Sequence, residues 1–177
     1  MGDRCFITCE SLTKVVLSNK LTLIPESTFS GCKSLTEVII PNSVTKINSN
    51  AFSGCTSLTS IKIPRSVSEL ANPSILLNNG ALAGASLSEV LICNPVPPTS
   101  NGGLKTNNLT VIKVPIGSGE AYKTSSAWSS YADYIVESIE ANLYDPGSGL
   151  NNAIDQANML EGWIVGQKIY WMMHNIE

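Results

Sequence analysis

The sequence is poor in the residues that most enzymes use for chemistry. Its 177 residues include one histidine, His174, and only 14% of them are charged. No serine or cysteine stands at a spacing that indicates a Ser-His-Asp or Cys-His arrangement with this histidine. The 14 acidic residues are scattered along the chain and form no recognisable acid/base pair. The sequence therefore predicts a protein that is not an enzyme and needs no cofactor.

Basic charge and long apolar runs are also scarce. The formal net charge is −3 and the isoelectric point is about 5.2, whereas a nucleic-acid-binding protein needs a basic patch to neutralise phosphates. The longest apolar stretch, "MLEGWIVGQKIYWMM" at 159–173, is shorter than the roughly 20 residues that span a bilayer. The first 14 residues contain no apolar region typical of a signal peptide. We expect no nucleic acid partner and no membrane insertion.

What the sequence does contain is a repeat with a period of 23 residues. "TFSGCKSLTEVIIPNSVTKIN" (Thr28–Asn48) and "AFSGCTSLTSIKIPRSVSELA" (Ala51–Ala71) match position by position. A third copy begins near Phe6, a degenerate fourth copy covers Leu82–Cys93, and a fifth strand unit covers Leu109–Pro115. The residues between these later copies are polar and rich in proline and glycine, which is typical of loops. An internal repeat of this length predicts a solenoid.

Each copy contains the pattern Leu-x-x-Ile-x-Ile, in which apolar residues alternate at period two. This alternation predicts a short strand with Val38 and Ile40 on its buried side. Strands stacked one per turn would form a parallel sheet, and their inward side chains a continuous core. The proline after each strand has no N–H for the sheet and ends it. The Phe-x-Gly-Cys segment is predicted to turn the chain on the opposite side, with Phe inside and with Gly permitting a left-handed or tight backbone.

The repeat resembles the BspA-like class of leucine-rich repeats. The unit of that family, A-F-x-G-C-x-S-L-T-x-I-x-I-P-x-S-V-T-x-I, is similar to "AFSGCTSLTSIKIPRSVSEL" at 51–70 at almost every position. The resemblance covers Phe6 to Leu70 and continues more weakly to Pro115. It implies a β-rich leucine-rich-repeat solenoid with a parallel sheet, one short strand per rung, a short C-terminal capping helix and an appended tail.

The resemblance also suggests where the array ends. Residues Val114–Ile139 look like the closing segment of such arrays, with a last strand, a capping helix and an Ile-Val-Glu strand. A helix is predicted over Glu120–Trp128, and its Tyr122 and Trp128 are expected to cover the open end of the core. The predicted domains are residues 1–139, the array with its cap, and residues 140–177, a tail of unknown fold. The tail could be helical and pack on the array or on a partner.

Five cysteines are present, and three of them occupy the same repeat position. Cys9, Cys32 and Cys55 should line up as a column of buried free thiols, because cysteine is a small apolar residue that suits a tight turn. A disulfide between neighbouring rungs and a zinc site that uses Cys5 and Cys9 are the alternatives. The fourth copy has Ala85 at this position, which favours a packing role over a ligand set.

The outward side chains of the predicted strands form two columns on the exposed face of the sheet. The first column is Lys14, Glu37, Ser60, Glu89 and Val111, and the second is Val16, Ile39, Lys62, Leu91 and Lys113. Exposed apolar residues in a row can mark a contact surface, although β-branched residues also simply suit strands. We expect Lys14 and Glu37 to form a surface ion pair of small energetic value. These ten residues are the candidate ligand face.

A function follows only from the resemblance. BspA-like proteins are secreted or exposed on the cell surface and mediate adhesion to host proteins or other cells. The resemblance therefore implies a non-enzymatic interaction module that binds a protein or a glycan through its exposed sheet. A rigid spacer and an accessory domain of a larger protein are the alternatives. Self-association through the N-terminal rung, which shows no cap in the sequence, or through the C-terminal tail is a further expectation.

Overall fold

The computed structural model describes residues 1–71, 80–100, 104, 106 and 108–144. Two α-helices, one 3-10 helix and ten strands lie in these residues. In chain order they are β1 (Lys14–Val16), β2 (Leu23–Ile24), β3 (Glu37–Ile39), β4 (Lys46–Ile47), β5 (Ser60–Ile63), β6 (Glu69–Leu70), β7 (Glu89–Ile92), β8 (Thr99–Ser100), β9 (Val111–Val114), α1 (Gly119–Thr124), the 3-10 helix Ser129–Tyr134, β10 (Ile135–Glu137) and α2 (Ile139–Leu143).

The Leu-x-x-Ile-x-Ile segments form one side of a coil, which we call the strand face. It consists of β1, β3, β5, β7, β9 and β10, and every pair of hydrogen-bonded strands is parallel. The register follows the repeat, since Val15 lies beside Val38, and Ile61 beside Val90. Strands β1 and β3 form one hydrogen-bonded sheet, and β5, β7, β9 and β10 form another in that order. Strand β3 packs beside β5, but the two are not paired as neighbours in a sheet. The predicted solenoid with one short parallel strand per rung on this face is confirmed.

A second, narrower sheet runs along another side of the coil. Its strands β2, β4, β6 and β8 are two residues long and also parallel. Hydroxyl groups support it from outside, because Thr45 donates to the carbonyl oxygen of Thr22 at 3.2 Å and Thr99 to that of Ser68 at 3.2 Å. The sequence gives little sign of this sheet. The inward residues Val44 and Ile47 are three positions apart, which does not match the period of two of a strand, and a strand of two residues is too short to show a period.

The core is a column of equivalent side chains from successive turns. The rings of Phe6, Phe29 and Phe52 are stacked, with 5.4 Å between neighbouring centroids. Phe29 and Phe52 are fully buried, whereas Phe6 is 40% exposed because only one face of its ring has a neighbour in the column. In the fourth turn the smaller Leu82 takes the phenylalanine position, again fully buried. Parallel stacking of identical rings is the reason that the sequence repeats itself.

The turn after each phenylalanine needs a left-handed residue. Gly31 and Gly54 have φ of 75° and 70°, so of the left-handed or tight backbone that the sequence predicts, the left-handed one is present. The first copy has Thr8 at this position with φ of 57°, a conformation that a β-branched residue adopts only at a cost in free energy. A second left-handed position, unexpected from the pattern, recurs every 23 residues and is occupied by polar residues such as Asn50 with φ of 57°.

The C-terminal cap closes the core as predicted, with one difference. Helix α1 ends at Thr124, so the predicted helix is too long, and Trp128 lies in the turn that follows. Tyr122 is fully buried and Trp128 is 1% exposed, and their rings meet edge to face. Each ring also donates one hydrogen bond to a loop carbonyl, Tyr122 Oη to Asn94 O at 2.6 Å and Trp128 Nε1 to Pro98 O at 2.7 Å. Strand β10 then pairs with β9 as the predicted Ile-Val-Glu strand.

The described part of the chain contains no helix that is long and apolar enough to cross a membrane. The predicted domain boundary at residue 139 falls at the start of α2, which packs on the strand face through Ala141. Of the predicted tail, residues 145–177 lie outside the described residues.

Candidate binding face

The strand face brings the two predicted columns together. Register places Lys14 beside Glu37 and Ser60 beside Glu89 in the first column. In the second column, Val16 lies beside Ile39, and the order continues through the remaining members Lys62, Leu91 and Lys113. One residue was missed: Val136 of β10 lies beside Lys113 and extends the second column by one strand. The alternation in "YIVES" at 134–138 carries that signal, but the strand itself is only three residues long.

The first rungs of the face are open, and we call this region the open patch: Lys14, Val16, Glu37, Ile39 and Ser60. Val16 is 66% exposed and Ile39 is partly exposed. The predicted ion pair is present, with Lys14 Nζ 2.7 Å from a Glu37 carboxylate oxygen and both side chains half exposed. The open patch therefore presents an apolar pair beside a charged pair.

The later rungs of the face are covered, and we call this region the covered patch: Lys62, Glu89, Leu91, Cys93 and Lys113. Helix α2 folds back over it, and Ala141 and Tyr144 pack against Leu91 and Cys93. Leu91 is only 1% exposed. The expectation that Leu91 lies on a solvent face is therefore wrong, because its outward side chain is beneath a helix that the repeat pattern does not include. Val111, the remaining predicted residue, is partly buried.

Charged groups surround the apolar floor of the covered patch. Lys113 Nζ lies 2.7 Å from Glu89 and 3.1 Å from Glu140, which comes from α2. The hydrogen bond with Glu89 is the main reason that the pKa of Lys113 is raised above its ordinary value, and the bond with Glu140 adds to it. Lys62 Nζ is 3.8 Å from Glu140 and 5.1 Å from the centroid of the Tyr144 ring. Glu140 is thus held between two lysines.

Local hydrogen bonds explain why α2 forms at this place. Ser138 caps the helix, because its hydroxyl oxygen accepts from the N–H of Glu140 at 3.2 Å. The N–H of Ser138 donates to Val114 O at 2.8 Å and so continues the sheet pairing of β10. The N–H of Ile116 donates to Asn142 Oδ1 at 2.9 Å, which attaches the helix to the turn after β9. A five-residue helix has no amphipathic period to detect, and so the sequence did not predict it.

The cysteines serve packing, and one prediction about them is wrong. All five are free thiols. Cys32 and Cys55 are buried, and each Sγ donates to the carbonyl oxygen of the phenylalanine one turn earlier, at 3.1 Å and 3.2 Å. Burial raises the pKa of Cys55 to about 12. Cys9 is exposed, because it lies in the first turn of the array and no earlier turn covers it. Within the described residues no group of three or more potential ligands could hold a metal.

Cys93 belongs to a different environment from the other cysteines. Ile92 lies beside Ile63, so Cys93 stands where the preceding turn has Pro64. Its N–H donates to Ile63 O at 3.0 Å, a bond that proline could not make. The thiol is buried beneath α2, and this burial, with a smaller effect of the Glu140 charge, raises its pKa to about 12. The covered patch therefore contains a buried free thiol.

The glycine-containing segment at 117–122 includes the start of helix α1, and its backbone binds a carboxylate of the same chain. The N–H of Gly119 donates to a carboxylate oxygen of Glu137 at 2.8 Å. A Cβ at Gly119 would lie 2.8 Å from the same oxygen, which explains the glycine. Backbone N–H groups of Gly117 and Gly119 keep the pKa of Glu137 below its ordinary value. The carboxylate of Glu137 therefore occupies this position.

Comparison with known proteins identifies the repeat. Residues 1–116, well over half of the chain, match the family described as "BspA type Leucine rich repeat region (6 copies)", and the chain belongs to this family. Family and fold are typical of non-enzymatic protein-interaction modules. No curated protein sequence matches the chain significantly.

Solved structures that are similar to it include two leucine-rich repeat proteins. One is a leucine-rich repeat protein from Bacteroides ovatus ATCC 8483, with 22% identity and a TM-score of 0.48; the match covers 64% of this chain and 34% of that protein. The other is a leucine rich repeat protein of T. pallidum, with 17% identity and a TM-score of 0.40; the match covers 88% of this chain and 75% of that protein. The chain therefore spans about a third of the first structure.

Proposed function

We propose that this chain is the interaction module of a secreted or cell-surface protein and binds a protein or glycan ligand through the open patch. Membership of the BspA-type family supports a role in protein interaction. The open patch is the more exposed part of the predicted ligand face. Adhesion to host proteins or to other cells is the biological role that this binding would serve.

The exposure of Val16 is the observation that carries this proposal. Its side chain is 66% exposed on a regular strand, next to the partly exposed Ile39. Burial of such an apolar pair by a ligand would release free energy in proportion to the area removed from water. The neighbouring ion pair of Lys14 and Glu37 supplies the polar rim that interfaces commonly have.

The test compares a double apolar-to-glutamate variant in the open patch with a single apolar-to-glutamate variant outside the strands. Purified chain is applied to a panel of immobilised extracellular proteins and glycans, together with the double variant V16E/I39E and the control V96E. Val96 is a matched control because it is 68% exposed but lies between β7 and β8. We expect the double variant to lose at least about tenfold in affinity, as hot-spot residues do, and the control to bind like the parent.

Equal binding by the double variant, or no binding by the parent to any member of the panel, would contradict the proposal. The second result would favour the alternative, a rigid spacer within a larger protein. One feature of the structure favours a spacer: α2 covers Leu91 and Cys93, so that the strand face offers a ligand less apolar surface than the repeat implies. Circular dichroism of both variants establishes that each is folded.

Self-association through the first turn is a second candidate. Phe6 and Ile7 are 40% and 43% exposed, and Phe6 presents one free ring face at the end of the phenylalanine column. A second copy that covered this ring would continue the column. Sedimentation of the parent and of F6S/I7S at increasing concentration tests this, with dimers expected for the parent alone; a parent that stays monomeric would contradict it.

A further inference from the structure

Helix α2 lies on the covered patch in the way that a bound peptide would. Its Ala141 contacts the apolar floor of Leu91 and Cys93, and Tyr144 packs at the edge of the same cluster. Its Glu140 lies between two lysines of the strand face, at 3.1 Å from Lys113 and 3.8 Å from Lys62. The contacts thus combine an apolar centre with a charged rim, which is the usual anatomy of a recognition site.

The contacts of α2 are separate from the core of the array. Val90 and Ile92 of β7 point inward and belong to the continuous core, while Leu91 and Cys93 of the same segment belong to a second cluster with Ala141. Undocking of α2 would therefore expose the second cluster and leave the inward side chains packed. Local openings of this kind cost less free energy than global unfolding.

The charges of the patch restrict what could replace α2. If α2 left the patch, Lys113 would keep its contact with Glu89, both lysines would lose their contact with Glu140, and Leu91 would lose its contact with Ala141. A partner of complementary character must supply a carboxylate and an apolar surface. In α2 the carboxylate and the aromatic ring belong to Glu140 and Tyr144, which are four residues apart and so lie on one side of a helical turn.

We propose that the covered patch is a peptide-binding site and that α2 is its resident occupant. The site also accepts a segment of a partner protein. This segment has an acidic residue, a small residue directly after the acidic one, and an aromatic residue four positions after the acidic one. The segment binds in place of α2 and contacts the same two lysines. This mode belongs to the recognition of short helical peptides by a preformed surface. The proposal does not require the open patch to bind any ligand.

The first experiment measures the opening of α2 with Cys93 as the reporter. The full chain is treated with iodoacetamide, and the labelling of each cysteine is followed by peptide mass spectrometry. In the variant A141R a large cation replaces a small side chain that is 1% exposed and packs against Leu91 and Cys93. We expect Cys93 to be labelled about tenfold faster or more, while Cys55 in the core keeps its slow rate.

Two further variants make this result unambiguous. A121R is the matched control, because Ala121 is an exposed residue of α1 and an arginine there should leave Cys93 protected. E140K removes the carboxylate and repels both lysines without adding bulk beneath the helix, so it should also accelerate the labelling of Cys93. Unchanged labelling of Cys93 in both A141R and E140K would overturn the proposal, as would equal acceleration of Cys55.

The second experiment tests the chemistry of the partner. A synthetic peptide with the sequence of residues 138–144, SIEANLY, with blocked ends, is added to A141R during labelling. We expect it to slow the labelling of Cys93 and to leave that of the exposed Cys9 unchanged. Peptides with glutamine in place of Glu140 or alanine in place of Tyr144 should protect at least about tenfold less well, since each lacks one anchoring contact. Equal protection by all three peptides, or no protection at all, would overturn the proposal.

Discussion

The first three turns of the array and its C-terminal end fill the same core by different means. The early turns repeat one solution, with Phe6, Phe29 and Phe52 in a single stack. The end of the array uses large side chains that occur once, Tyr122 and Trp128, and both are tied to loop carbonyls by hydrogen bonds. Repetition is sufficient where each turn has an identical neighbour, whereas a cap must match a surface that has no copy of itself.

The strand face shows the same division. In the open patch the outward side chains follow the repeat and remain accessible, with Val16 as the most exposed of them. In the covered patch the outward side chains meet α2, which lies outside the repeat, and Leu91 becomes as buried as a core residue. The strand face therefore offers two surfaces of different chemistry, the open patch and the covered patch.

The largest effect is expected from the phenylalanine column. Phe52→Ala removes a fully buried ring that stacks on Phe29, and it should lower the free energy of unfolding by about 3–5 kcal/mol. Phe6→Ala removes the partly exposed end of the same column and should cost about 1 kcal/mol or less, because that ring buries much less area. Urea unfolding followed by circular dichroism measures both values. Similar losses would show that the first turn is as firmly packed as the third.

The next effect concerns the cap. Tyr122→Phe keeps the buried ring but removes the hydroxyl that donates to Asn94 O at 2.6 Å. The carbonyl would lose its partner in a part-buried place, and the free energy of unfolding should fall by about 1–2 kcal/mol. Tyr134→Phe is the control, since Tyr134 is 41% exposed. No greater loss in Tyr122→Phe than in the control, measured by the same urea titration, would mean that packing alone closes the array.

How far the sequence predicts the structure depends on whether an element belongs to the repeat or lies outside it. The strand face, the phenylalanine column and the turn glycines follow from the 23-residue period, because each copy is its neighbour's environment. The burial of Leu91 does not, since it depends on a helix of five residues that has no copy elsewhere in the chain. Cys9 shows the opposite error: the repeat position predicts burial, but a residue in the first turn has only one neighbouring turn.

The turn glycines give a prediction in which two substitutions should have opposite signs. Gly54 has φ of 70°, and a Cβ there would meet only Gly31 at 3.7 Å, so Gly54→Ala should cost about 1–2 kcal/mol from backbone strain alone. Thr8 occupies the same position in the first copy with φ of 57°. Thr8→Gly should therefore stabilise the array by relieving this strain. The gain should be about 1 kcal/mol or less, because the greater freedom of glycine in the unfolded chain offsets part of it. Destabilisation by both variants in urea would mean that the first turn does not follow the repeat geometry.

The smallest effects separate the ion pairs of the two patches. Lys14→Ala breaks a pair whose side chains are half exposed, and it should change the free energy of unfolding by about 0.5 kcal/mol or less because solvent screens such pairs. Lys113→Ala removes a cation that contacts both Glu89 and Glu140 and is 28% exposed, and it should cost about 1 kcal/mol. The two losses are measured by thermal unfolding at pH 7 and compared at high salt.

The pH dependence of the second loss identifies its cause. The pKa of Lys113 is raised in the folded chain, chiefly by its hydrogen bond to Glu89, so the unfolded chain releases this proton at a lower pH than the folded chain does. The stabilisation by Lys113 is therefore complete below the ordinary lysine pKa and disappears as the pH rises through the raised value. The difference in stability between the parent and Lys113→Ala should shrink over that alkaline range, while the difference for Lys113→Met, which keeps the apolar stem, should shrink to nearly zero. A constant difference across that range would assign the effect of Lys113 to packing of its stem against α2.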